Sequence, residues 1–367
     1  MIRFILGSIG GVFSWIVTGV FFAALTVGAI FWIYSRDLPS YDQLAQYRPK
    51  TISRIYNGNG RLIDEFAEQR RLFVPSQDIP DLVKGAFISA EDKNFYYHPG
   101  FDPRGIAAAV ITAVKSGGRD VRGASTITQQ VTKNLLLSSD RKIERKIKEL
   151  ILSSRIEHVL SKDRILELYL NEIYLGQNSY GVAAAAQTYF NKPLSELTAG
   201  EAAYLAALPK APAALHPVRD LKKATDRRNY VLRRMFEDGR IDKATFEKEQ
   251  ALPLKTVQNG DYAPFRDRLP PRDYFTDEIR RQLSKSFGRE EFFGGGLTIR
   301  ATVNPDLQAR AAKALQNALE TYDRGLGIWR GTGAKIPADQ LKDEASWRAA
   351  LDAVPTSKAP QIGRAHV

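Results

Sequence analysis

At 367 residues the chain is long enough for two or three domains with a substantial core. It contains no cysteine, which excludes disulfides and thiolate metal sites and leaves the redox compartment open. A formal net charge of +12 excludes a charge-balanced surface and points to a polyanionic partner: nucleic acid, an anionic membrane, or a phosphorylated substrate.

The first element is apolar. From Phe4 to Tyr34 run 31 residues without a charge. As a helix this stretch reaches roughly 45 Å, more than the ~30 Å hydrocarbon layer of a bilayer. A secretory leader would carry an apolar run of about 7–15 residues ending in a small-x-small site. AIFWIYSRD offers no such site, so residues 1–35 are read as an uncleaved transmembrane anchor, with Trp32 and Tyr34 at the interface. Arg3 is the one positive charge before the span; the large domain after it is expected outside the cytoplasm.

Residues 36–78 read as a juxtamembrane linker with a β-hairpin, because TISRIYNGNGRLIDEF alternates around Asn57-Gly58-Asn59-Gly60, residues that tolerate positive φ. From Ile79 the texture becomes alanine-rich and helical, with segments at 104–116, 124–137, 143–160, 162–175, 180–190 and 198–208. Thr198 and Glu201 form the pattern of a capping box, and the prolines of LPKAPAALHP end that helix. Two polar helical stretches follow (LKKATDRRNYVLRRMFEDG and IDKATFEKEQ), and PFRDRLPPRDYF reads as a linker. GGGLTIRATVNPDLQARAAKAL reads as a turn, a strand and a helix begun by Asn304-Pro305-Asp306. The terminal IGRAHV fits no element and back-translates to a common sequencing-adapter sequence, so the natural chain is expected to depart near Pro360.

The basic excess concentrates between Lys115 and Lys148, with nine Lys or Arg against three acids. In IERKIKELILSS, Ile143, Ile147, Leu150 and Ile151 form one helical stripe, while Arg145, Lys146 and Glu149 share another face. By spacing alone this is a solvated face with ion pairs one turn apart. GASTITQQVTKN (123–134) joins Gly123, which lets a chain come close, to the capping residues Ser125 and Thr126. Gln129, Gln130, Lys133 and Asn134 then place polar groups one turn apart. No nucleic-acid-binding motif or histidine pair of ligand spacing is present, and His98 alone reads as a structural hydrogen-bonding residue. In AEDKNFYYHPGFDPRG (90–105), spacing leaves Glu91 and Asp92 equivalent as candidate catalysts.

Five segments in order carry a specific resemblance: EDKNFYYHPG (91–100), GASTITQQ (123–130), RKIKE (145–149), KDRILELYLNEIYLGQNSYGVAAAAQTYF (162–190) and LTAGEAAYLAALPKAP (197–212). Together they resemble the peptidoglycan glycosyltransferase domain of class A (bifunctional) penicillin-binding proteins, over about residues 50 to 235 and more weakly to about 330. The resemblance implies a mainly α, lysozyme-like domain that polymerises lipid II into glycan strands with inversion. It implies that Glu91 is the general base on the acceptor 4-hydroxyl and that undecaprenyl pyrophosphate leaves. Glu149 would be a second catalytic carboxylate, holding cations or a divalent metal (Mg or Mn). Asp92, Gln130, Lys133, Asn134, Arg141, Arg145 and Lys146 would serve the substrate and its pyrophosphate. Phe95, His98, Gly100, Gly123, Ser125, Thr126 and Asn171 would frame the motifs, and GIAAAVITAV (105–114) resembles a jaw beside the membrane.

The expected partners are lipid II, the growing glycan chain, membrane lipids and other cell-wall synthesis proteins, with no nucleic acid, at the bacterial inner membrane with the catalytic domain on the periplasmic side. The expected organisation is an anchor (1–35), a linker (36–78), the glycosyltransferase domain (79–235), a linker toward a transpeptidase (236–330), and the truncated start of a further domain (331–367). Transpeptidase activity is expected to be absent, because SxxK at Ser139 falls inside the first domain and no SxN follows. Two rivals remain: a lytic hydrolase on a similar fold, which needs an acid but no cation cluster, and a basic membrane scaffold without catalysis.

Overall fold

The computed structural model describes residues 2–36, 38–40, 44, 47, 51–67, 69–116, 125–137, 142–265, 269–270, 273–326 and 343–353. Those residues are mainly helical and divide into two compact units, Met1–Arg54 with Ile63–Thr298, and Ile55–Leu62 with Ile299–Val367.

In the first unit, Ile2–Ser35 forms one helix, α1. Its described side chains include Trp15, Val17, Phe21, Leu25 and Trp32, all exposed and distributed around the helix. Among the described residues no helix is long and apolar enough to cross a membrane. Strands β1 (Ser53–Tyr56) and β2 (Leu62–Phe66) flank the Asn-Gly turn, and with β5 (Thr298–Arg300) they make a sheet of order β2–β1–β5. A two-residue strand β3 (Arg70–Arg71) pairs in parallel with β4 (Ser179–Tyr180).

The core is built by helices whose starts are written in the sequence. After Pro80, α2 (Asp81–Glu91) buries Val83, Ala86 and Phe87. The Asp102 side chain caps α3 (Pro103–Lys115), with Pro103 in the first turn, where its missing N–H costs nothing. Thr126 caps α4 (Ile127–Leu135) through a full capping box with Gln129, so the expected segment 124–137 becomes helical only at Ile127. Then come α5 (Lys142–Val159) and α6 (Lys162–Glu172), the latter capped by Ser161. At Ile173 the backbone turns extended, which stops the expected helix 162–175 three residues early.

Helix α7 (Val182–Phe190) ends at Asn191 in the left-handed conformation. Helix α8 (Ala199–Ala207) carries the expected Thr198/Glu201 capping box and is buried along its whole length. Its small side chains let α2 and α9 (Leu221–Glu237) pack directly on it. Each large side chain it buries, such as Leu205 or Tyr204, contributes about 1.5–3 kcal/mol. The unit continues with α10 (Lys243–Ala251), α11 (Tyr274–Phe287) and α12 (Arg289–Gly294). The last two supplement the sequence reading of that stretch.

The second unit joins the Asn57 turn to the chain after β5. Asn57 Oδ1 accepts from the N–H groups of Asn59 and Arg61, which closes the turn, and Ala301 N–H donates to Tyr56 O at 2.8 Å. Asn304 caps α13 (Pro305–Gly325), as Asn304-Pro305-Asp306 announced, and α14 (Glu344–Ala353) ends the described chain.

Candidate active site

Glu91 is the last residue of α2 and Asp92 is its C-cap, so two adjacent acids leave the helix in different directions. Glu91 Oε2 accepts from Gln130 Nε2 of α4 at 2.9 Å. Burial pushes the Glu91 carboxyl above the usual carboxylate range. The Gln130 bond and the charges of Arg227 and Lys210 oppose that rise, and Asp92 adds to it.

Asp92 is spent on structure. Both its oxygens face His98 Nε2, at 3.0 and 2.9 Å, and Oδ2 also accepts the Ile127 N–H at the start of α4. Gly100 N–H donates to His98 Nδ1 at 3.2 Å, so Nε2 carries the hydrogen that bonds Asp92. Thr126 Oγ1 donates to Gly100 O at 2.6 Å and closes the loop onto the α4 cap. Phe95 is fully buried, edge-on to the His98 ring with centroids 6.2 Å apart. Of the residues expected to frame the motifs, Phe95, His98, Gly100 and Thr126 therefore meet in one connected turn.

A second cluster sits on α5. Glu149 is buried, and its carboxylate takes Arg145 Nε at 3.2 Å and Lys146 Nζ at 3.0 Å. Lys146 Nζ also donates to Ser125 Oγ at 2.8 Å, which ties α5 to the segment before α4. The solvated-face alternative fits poorly, because such pairs lie in water on both sides, whereas here the acid is enclosed. Lys133 and Asn134 are exposed on the last turn of α4. Among the described residues no hydrogen bond joins Glu91 to Glu149. Gly123 and Arg141 lie outside the described residues.

Asn171 stands apart from both clusters. It accepts from Val74 N–H at 2.8 Å and donates to Val74 O at 2.9 Å and Glu167 O at 2.8 Å, pinning the chain before α2 onto α6. As for a metal, among the described residues no three His, Cys, Asp or Glu side chains converge. Both oxygens of Glu149 already face cations. The described residues around Glu149 therefore do not by themselves make a protein-built divalent site.

Several participants escaped the sequence reading. Lys162 Nζ donates to His98 O and to Glu157, both at 2.7 Å, and lies 4.6 Å from the Phe95 ring. Glu157 in turn accepts from Thr128 Oγ1 at 2.6 Å. Arg227 of α9 and Lys210 of the 3₁₀ turn after α8 bring positive charge to Glu91. Lys162 opens the fourth motif and was legible as part of it; nothing local marks Arg227 among the many basic residues of α9.

Residues 59–236 match the family model described as Transglycosylase, so this stretch of the chain is a transglycosylase domain. Among curated proteins it is 43% identical over 330 residues to penicillin-binding protein 1A of Rickettsia typhi, covering 89% of this chain and 40% of that protein. It is 44% identical over 294 residues to penicillin-binding protein 1A of Haemophilus influenzae, covering 80% of this chain and 33% of that one. A crystal structure of the Haemophilus influenzae protein aligns with 29% identity and a TM-score of 0.44, over 85% of this chain and 36% of that chain. The chain thus spans 40% or less of the length of these relatives.

Proposed function

We propose that this chain is a peptidoglycan glycosyltransferase that polymerises lipid II into glycan strands with inversion. The observation that carries the reading is Glu91: a carboxylate of raised proton affinity, braced by Gln130, inside a transglycosylase domain. A sugar hydroxyl is a weak nucleophile, so a positioned base contributes about 10²–10⁴-fold. Glu91 takes the proton of the acceptor 4-hydroxyl as that oxygen forms its bond to the anomeric carbon of the donor chain. The bond from that carbon to the pyrophosphate oxygen breaks on the opposite face, and undecaprenyl pyrophosphate leaves with the electron pair.

The leaving group needs cations rather than a proton donor. Lys146 and Arg145, oriented by Glu149, supply them, with Lys133 and Arg141 as further contacts. Glu149 acts by keeping the two cations aimed. Gln130 braces Glu91, and Asn134 meets the substrate sugar. No step is routed through a metal; the polymerisation assay run with and without a chelator reports any requirement for one.

A raised carboxyl would also suit the general acid of a lytic hydrolase. The paired cations favour the transferase, since a sugar leaving group gives them nothing to neutralise. Incubation with lipid II discriminates: growth of polymer supports the transferase, and shortening of preformed glycan without growth overturns it. Glu91→Gln that still polymerises at a near-normal rate would remove the base assignment.

Helix α1 is proposed as the single membrane anchor, with the catalytic domain on the periplasmic side. The reading rests on the uncharged sequence from Phe4 to Tyr34 and on the exposed apolar side chains of the described residues from Trp15 to Ile33. Alkaline extraction of membranes tests this: release into the soluble fraction refutes the anchor.

A further inference from the structure

Tyr169 on α6 is 1% exposed. Its ring meets that of Phe87 edge-on, with centroids 6.1 Å apart and planes at 75°. Phe87 lies one turn before Glu91 on α2, so Tyr169 packs beneath the helix end that carries the carboxylate. Among the described residues its hydroxyl has no hydrogen-bond partner. An unpaired buried hydroxyl costs stability, and phenylalanine would fill the same space without that cost. Burial, with the negative charges of Glu91 and Asp92, pushes the phenol well above its ordinary range, so the group is a donor throughout the working pH range.

Asp92 has no need of another donor, since His98 and the Ile127 N–H already serve it. Glu91 is different: Gln130 serves Oε2, and among the described residues no hydrogen bond reaches Oε1.

We infer that Tyr169 is a positioning residue for Glu91, its hydroxyl being the donor that holds the carboxylate, through one bridging water, in the ionised form a base requires. This rests on the reading of Glu91 as general base. The other groups acting on Glu91 are Asp92 beside it, Gln130 of α4, Arg227 of α9 and Lys210 after α8, and all of them remain in a Tyr169 variant.

The test is the pH–rate profile of lipid II polymerisation by the full chain in detergent, for wild type, Tyr169→Phe and the chain with 3-fluorotyrosine at position 169. Losing the donor destabilises the anion, so in Tyr169→Phe the acidic limb moves to higher pH. The rate on that limb falls about three- to tenfold, while the plateau and the KM for lipid II stay put. The fluorinated ring, a stronger donor, moves the limb the other way. A Tyr169→Phe profile superimposable on wild type, with a raised melting temperature, overturns the inference and makes the hydroxyl a tolerated core group. Should Tyr169→Phe fail to fold, an unshifted limb in the fluorinated protein overturns it equally. Glu91→Gln run alongside separates the two claims. If it polymerises, the base reading falls. If it is silent while the Tyr169→Phe profile matches wild type, only the role of Tyr169 falls.

Discussion

Gly100 closes the turn that holds Asp92 and His98, and Gly100→Ala tests how tightly that turn is built. Its φ of +92° lies where an L side chain is strained, a cost of about 1–2 kcal/mol. A Cβ there would also sit 2.4 Å from Ser153 O, 2.5 Å from Ser153 C and 2.9 Å from Ser154 N, all backbone of α5. No side-chain rotation relieves that contact, so the loop or the helix must move, adding about 1–3 kcal/mol of overpacking. The expected total is about 2–5 kcal/mol. Gly239 is the matched control: its φ is +69° and nothing lies within 4 Å of the added Cβ, so Gly239→Ala carries the conformational part alone. For a domain of this size each kcal/mol lowers the melting temperature by about 2–4 °C. Thermal unfolding followed by near-ultraviolet circular dichroism should therefore put Gly100→Ala clearly below Gly239→Ala. Equal losses in the two variants would refute the claim that the turn is wedged against α5.

Three further outcomes are expected. Because the folded-state pKa of Glu91 is raised, its stabilising contribution is full below the ordinary glutamate range of about 4.3 and is lost as pH rises through the raised value. Glu91→Gln should accordingly melt above wild type at neutral pH, with the difference vanishing near pH ~4; equal melting at neutral pH contradicts the shift. Asn171→Ala strips the Val74 N–H and C=O of their partner and should cost about 2–4 kcal/mol in urea unfolding, so a loss below about 1 kcal/mol would demote it from structural pin to ordinary core residue. Lys146→Ala, which removes a cation from both Glu149 and Ser125, should lower the polymerisation rate far more than Lys222→Ala. Lys222 pairs with Asp226 on an exposed helix face; equal effects would return the α5 cluster to a surface role.

Helix starts were the most legible part of the fold because they rest on local chemistry. Thr198 with Glu201 and Asn304 before Pro305 each satisfy backbone N–H groups within one turn and stand where the sequence announced them, whereas Thr126 was one of two candidate caps and its box with Gln129 starts the helix three residues later than the spacing suggested. The Asn57–Gly60 hairpin was legible for the same reason. What periodicity could not deliver was enclosure. Arg145, Lys146 and Glu149 share a face by spacing, yet only tertiary packing decides that the acid of this trio is buried while Lys146 stays exposed. Tyr169 sits inside the fourth motif with nothing local to single it out, and Arg227 was illegible altogether, since each lies on a different helix from Glu91, 78 and 136 residues away in the chain.

The division of labour between Glu91 and Asp92 follows from where α2 ends. Glu91 is the last helical residue, beside backbone carbonyls whose partial negative charge disfavours another anion. Half-buried and served by one side-chain amide, it holds its proton more tightly than an ordinary glutamate. Asp92, one residue on, has left the helix and turned its carboxylate toward His98 and the N-terminal N–H of α4, where the helix partial charge is positive. Exchanging the two roles would require α2 to end one residue earlier, which would rotate the pair by about 100° about the helix axis. The end of α2 is held by Phe87 and Tyr169 packing below it and by the Lys93–Asp238 ion pair beyond it. Two adjacent acids that spacing leaves equivalent are thus separated by a helix terminus: one stays poorly solvated and basic, the other is consumed in holding the turn.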